Sequence, residues 1–166
     1  MPPRLLGGLV IRDLKRNGNY GFLCEADRST KTLSLMLERY TRYALMMQDG
    51  ADFQKYHMQN MRVLTICKSQ ERTVDLHGLP FRKDLERPSD SILPKDFFIP
   101  EDDLPRYYFA NEEDYIVDPK NVLAAIWHRA DDEWFQKNEV GEIVQENTRA
   151  IVPDPLPRVK SRGENI

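Results

Sequence analysis

The chain has 166 residues, enough for one domain with a substantial core. Its 40% hydrophobic and 31% charged content is that of an ordinary globular protein, and no apolar run is long enough to expect a membrane span. The net charge of −3 argues against simple electrostatic glue for nucleic acid, but its distribution is uneven. Residues 1–72 carry 12 Lys and Arg against 7 Asp and Glu, whereas residues 73–150 carry 9 against 18. That pattern suggests a basic working face in the first half and an acidic face or appendage in the second.

The N-terminus shows no signal-peptide pattern of basic start, apolar core and small-residue cleavage site. Cys24 and Cys67 lie inside apolar, strand-like runs and read as buried free thiols, so a cytoplasmic location is expected. Leu5 to Leu14 reads as a strand, and Lys15 to Asn19 as a turn with Asn17-Gly18 at its centre. Tyr20 to Ala26 completes a β-hairpin. Ser29 or Thr30 is expected to cap a helix with apolar positions at Leu33, Leu37, Tyr40, Ala44 and Met47, ended by Gly50. Met61 to Cys67 is a third strand, expected to be central. Ser69 caps a short helix that Gly78 ends.

Beyond Gly78 the composition changes. Pro80, Pro88, Pro94, Pro100 and Pro105 punctuate a charged excursion that no helix can accommodate. Arg106 to Ala110 reads as a strand, Asn111 to Tyr115 as an acidic turn or helix, and Pro119 to Trp127 as a short helix. Glu133 to Val144 reads as a closing hairpin, and Trp127, Trp134 and Phe135 as a hydrophobic cluster over the sheet. The expected organisation is a core over 1–77, an extension of the same domain over 78–152, and a flexible basic tail over 153–166. The fold class is α/β (α+β), a mixed sheet flanked by helices.

The stretch richest in chemistry is Tyr20 to Lys31, where an apolar strand ends in Glu25 and Asp27 and is followed by Arg28, Ser29, Thr30 and Lys31. Residues two apart on a strand face the same way, so the two carboxylates share a side. Such a pair suits Mg²⁺, which lowers the pKa of a bound water and steadies charge on a scissile phosphate. Lys31 would stabilise that charge or orient the water. The same cluster reads equally well as a structural one, with Asp27 paired to Arg28 or Arg62 and Glu25 to Lys31. Arg28, Ser29, Thr30 and Lys31 stand where a helix start offers N–H groups to a phosphate, or where an ordinary cap is needed. Arg39, Arg42 and Lys55, interleaved with Tyr40, Tyr43 and Tyr56, suit a nucleic-acid backbone, although the tyrosines at helical spacing also suit a core. The histidines, His57, His77 and His128, are far apart in sequence and have no ligand spacing.

The order of these pieces resembles the PD-(D/E)XK nuclease core, and residues 9–127 resemble the replication-relaxation family of plasmid and mobile-element proteins. The residues that carry the resemblance begin with Glu25 to Thr30 after a hairpin, Tyr40 to Tyr43, the strand Arg62 to Ile66 and Glu71-Arg72. Tyr107 to Ala110 and Leu123 to Trp127 complete the series. The resemblance implies a restriction-endonuclease-like core and a role in plasmid replication, DNA relaxation or mobilisation. The match covers the C-terminal core of that family, without its winged-helix region. The catalytic pattern is degenerate: Gly7 and Gly8 stand where an acid fits, and Asp27 occupies the position of the usual Lys.

Three functions follow as expectations. The first is a non-catalytic accessory module that binds DNA or a DNA-processing protein, with Arg28, Ser29, Thr30, Arg39, Arg42 and Lys55 at the interface. The second is a Mg²⁺-dependent endonuclease using Glu25, Asp27 and Lys31, with Glu25 and Asp27 as metal ligands. The third is a protein-interaction subunit that uses its acidic half. A homodimer is suggested as a cover for an exposed sheet edge.

Overall fold

Apolar residues run almost without a break through Phe22-Leu23, Val63-Leu64 and Tyr107 to Ala110, the signature of strands buried on both faces. In the computed structural model, which describes residues 7–13, 18–50 and 61–160, these runs form the middle of a five-stranded sheet. Strand β1 (Gly7–Asp13) pairs antiparallel with β2 (Gly18–Asp27). β2 lies parallel to β3 (Arg62–Cys67), which lies parallel to β4 (Tyr107–Asn111). The two-residue strand β5 (His128–Arg129) closes the far edge antiparallel to β4. The sheet is mixed and β3 is its central strand, as expected, whereas β5 is too short to carry a period in the sequence.

Alternation along each strand divides the core in two. Leu23, Val63, Cys67, Tyr107 and Phe109 point to one face, against Met36, Tyr40, Tyr43, Ala44, Met47 and Leu76. Those partners come from helices α1 (Leu33–Gln48) and α2 (Gln70–His77). Phe22, Leu64, Tyr108 and Ala110 point to the other face, where Ala124, Ile126, Trp127 and Ile151 cover them. Helix α1 buries Met36, Tyr40, Tyr43, Ala44 and Met47, a stripe of spacing three and four that turns one face to the sheet. Leu33 and Leu37 pack at its margin.

The cap of α1 differs from the expectation. Thr32, not Ser29 or Thr30, accepts from the Leu35 N–H at 3.2 Å. Ser29 instead takes a left-handed φ of 62°, turning the chain between β2 and α1. Gly50, at φ 70°, lies just beyond the C-cap Asp49, in the conformation glycine adopts without penalty. Ser69 caps α2 as expected, accepting from the Arg72 N–H at 3.1 Å.

The Pro-rich excursion has no α-helix, but it departs from the expectation in holding two 3₁₀ segments, Leu79–Phe81 and Glu101–Arg106, the second of which includes Pro105, and it is packed. Leu93, Ile99 and Leu104 are buried, and Ser91 Oγ donates to Glu38 Oε1 of α1 at 2.7 Å. Helix α3 (Glu112–Val117) follows β4, then a 3₁₀ turn over Pro119–Leu123. Strands β6 (Phe135–Lys137) and β7 (Ile143–Glu146) form the expected hairpin as a separate two-stranded sheet. Trp127 is in the core, but Phe135 is exposed and Trp134 packs on a histidine ring, so the expected three-residue aromatic cluster does not form. Residues 153–160 are exposed yet tied to the 3₁₀ turn. Asn121 Nδ2 donates to the Val159 carbonyl at 2.9 Å, and the Leu156 N–H donates to the Leu123 carbonyl at 3.0 Å. Among the described residues, no helix is long and apolar enough to cross a membrane.

Candidate functional site

The parallel arrangement of β2, β3 and β4 brings Asp27, Cys67 and Asn111 into one row at the carboxyl edge of the sheet. Two positions back, Glu25, Thr65, Phe109 and His128 form a second row across four strands. Edges of this kind, where parallel strands end and helices begin, are where open α/β sheets place their sites.

Glu25 and Asp27 share a side of β2, as the period of two requires, and both are buried. Each is held by an arginine. Arg39 Nη1 donates to Glu25 Oε2 at 2.8 Å, and the Tyr43 hydroxyl donates to Glu25 Oε1. Arg72 grips Asp27 with two bonds, Nε to Oδ2 at 2.7 Å and Nη2 to Oδ1 at 3.2 Å. The same Nη2 donates to the Lys31 carbonyl at 2.7 Å. The ion pair with Asp27 raises the Arg72 pKa further above its ordinary value. A planar guanidinium suits this two-pronged geometry, and burial makes the pairing obligatory. The acid pair thus fastens α1 and α2 to the end of β2.

Next to it, the Tyr40 and Thr65 hydroxyls lie 2.8 Å apart and the Tyr107 hydroxyl donates to the Tyr40 carbonyl at 2.8 Å. Burial pushes the Tyr40 and Tyr107 phenols well above their usual range. Burial also pushes the Cys67 thiol up to about 12, which leaves it without thiolate character. Among the described residues no three His, Cys, Asp or Glu side chains converge as a metal site. The two carboxylates expected to hold Mg²⁺ have arginines for their nearest charged partners.

The expected cationic residues fall into two groups. Lys31, Arg39 and Arg42 line one hollow of about 250 Å³, together with Leu35, Glu38, Pro88 and Asp90. Arg42 Nη2 is 3.4 Å from Glu38 Oε1 one turn back. Arg28, Ser29 and Thr30 are exposed on the turn that leads to Lys31. The helix start itself is at Thr32 and Leu33, so these three residues precede it rather than forming its first N–H groups. Lys55 and Tyr56 lie outside the described residues. Tyr40 and Tyr43 are core residues.

A second hollow opens at the carboxyl edge beside β4. Its volume is about 450 Å³, and Gln70, Asn111, Glu113, His128, Trp134 and Glu146 are among its walls. Nothing in the sequence marks it, because its residues come from α2, β4, α3, β5 and the hairpin. Only the fold unites them. His77 and His128, 51 positions apart, stand with ring centroids 6.1 Å from each other. Arg72 was visible in the sequence only as the residue that opens α2. What could have marked it is its place one turn into a capped helix following a strand parallel to β2.

Comparison with family models, curated proteins and solved structures finds no match.

Proposed function

We propose that this protein is a non-catalytic binding module that contacts the phosphate backbone of nucleic acid through the surface joining β2 to α1. The observation that carries the reading is the convergence of Lys31, Arg39 and Arg42 on one hollow. The exposed Arg28, Ser29 and Thr30 lie on its approach. Guanidinium and ammonium groups over a hollow, flanked by hydroxyls, suit phosphate oxygens without reading sequence. The arginine-bound state of Glu25 and Asp27 favours binding over cleavage, since a metal would have to displace Arg39, Tyr43 and Arg72 from buried carboxylates. On this reading the hairpin–helix–strand–helix order is a degenerate restriction-endonuclease-like core whose acid pair has become structural. As part of the same proposal we assign the module, on its sequence resemblance to replication-relaxation proteins, to plasmid or mobile-element DNA processing in the cytoplasm.

The test is fluorescence anisotropy of a labelled duplex titrated with the full chain over a range of salt. Binding is expected to weaken steeply with salt, and Lys31→Ala and Arg28→Ala are each expected to reduce the slope of log K against log salt by about 1. Arg39 is avoided because its loss also strips Glu25 of its cation. Absence of salt-dependent binding overturns the proposal. Mg²⁺-dependent nicking that EDTA and Glu25→Ala both abolish moves the assignment to the endonuclease instead.

A further inference from the structure

The hollow beside β4 shares no residue with the cationic one. Its chemistry is opposite. Glu113, Asp114 and Glu146 line it, and the one charged base in the lining, Arg158, is bonded to Asp114. Gln70 Nε2 donates to Glu146 Oε1 at 3.1 Å, which leaves the second oxygen, Oε2, 3.4 Å from His128 Nε2.

An acidic lining alone would be unremarkable as solvated surface. His128 supplies an independent observation. Its residue is only 4% exposed, its ring stacks on Trp134 with centroids 3.6 Å apart and planes 6° from parallel, and both line the hollow. Burial, with His77 close by, lowers its pKa to about 4, so the ring is neutral at physiological pH. A neutral imidazole has one N–H and one lone pair. The Asn147 backbone also lies against this ring, and with the proton on Nε2, towards the Glu146 carboxylate, Nδ1 is a buried acceptor without a hydrogen bond of normal geometry. Buried polar atoms without a partner are rare and call for an explanation, of which a ligand is one.

The geometry points to a binding site for a small organic cation, an ammonium or guanidinium compound, held by its N–H groups between Glu113, Glu146 and His128 beside the Trp134 ring. Three carboxylates stand in this lining against one guanidinium, which is itself bonded to Asp114, so a donor-rich cation fits and an anion is repelled. The volume lies in the range of small-molecule sites. The aromatic edge adds contact area beside the charge.

The test uses the full chain and Trp134 as reporter, because Trp127 is wholly buried and gives a constant background. Putrescine and arginine amide are titrated, with acetate and glucose as controls. The expected result is a saturable fluorescence change with at least one cation, absent in Trp134→Phe and absent with both controls. Glu113→Gln and Glu146→Gln are each expected to weaken binding about tenfold, the loss that follows from removing one charged hydrogen-bond acceptor. Both positions are exposed, so neither change should threaten folding. No saturable response to either cation, wild-type affinity in both glutamine variants, or a preference for acetate or glucose overturns the proposal. None of these outcomes bears on the anisotropy test of the other surface.

Discussion

Replacing Arg72 by Met tests whether the acid pair is a structural clamp. Arg72 is 13% exposed and Asp27 1%, so the substitution strands a buried carboxylate and also removes the donor to the Lys31 carbonyl. Breaking a buried pair from one side costs about 3–5 kcal/mol. The Lys31 carbonyl lies at a partly exposed turn that water reaches, which places the expected loss near the lower figure, about 3 kcal/mol. With a urea m-value of about 2 kcal/mol/M, the midpoint falls by about 1.5 M. Asp27→Asn is expected to cost less, because the amide keeps an acceptor for the guanidinium. The double variant Asp27→Asn/Arg72→Met should lose clearly less than the sum of the two, with a coupling of about 2 kcal/mol. Urea unfolding followed by tryptophan fluorescence measures all four corners of the cycle. Additivity within about 0.5 kcal/mol would refute the clamp. So would a rise in wild-type midpoint on adding Mg²⁺, because a metal bound to the folded state stabilises it by mass action.

Two predictions concern pH. His128 has its folded pKa lowered to about 4, against about 6.5 when unfolded, so between those values the unfolded chain binds the extra proton. Its contribution to stability is therefore complete above about pH 6.5 and is lost as the pH falls towards 4, at no more than about 1.4 kcal/mol per pH unit. Chemical unfolding at several pH values should show this slope, and His128→Phe should flatten it; an unchanged slope contradicts the burial argument. Cys67 titrates in the opposite sense: its folded pKa, pushed up to about 12, lies above the unfolded value of about 8.5. Stability should fall as pH rises above about 8.5, and the Cys67 peptide should stay unmodified by iodoacetamide in the native protein at that pH. Native labelling of Cys67 as fast as in urea counts against it.

Most elements of the sheet and the two main helices could be read from local pattern. Tyr20 to Ala26 and Met61 to Cys67 are dense in strand formers, and Ser69 and Gly78 frame α2 as capping chemistry predicts. The cap of α1 lies two or three residues beyond the expected one because Ser29, Thr30 and Thr32 are all competent caps. Only the left-handed turn at Ser29 decides between them. The site was legible in part. The shared side of Glu25 and Asp27 follows from strand geometry, but their partners do not, since Arg39 is 14 positions from Glu25 and Arg72 is 45 from Asp27. His128 gave no sign in the sequence, because its meaning comes from Trp134, Glu146 and a two-residue strand.

By itself the sequence determined the α/β character, the central apolar strands, the amphipathic face of α1 and the uneven charge, since each depends on residues close together along the chain. Tertiary structure alone decided what the charged groups do. Parallel pairing of β2 with β3 carries α2 to the end of β2, where Arg72 can reach Asp27, and the packing of α1 on the same face delivers Arg39 and Tyr43 to Glu25. A carboxylate's role depends on what lies within a few ångströms of it, and that neighbourhood is set by the pairing of strands rather than by the order of residues.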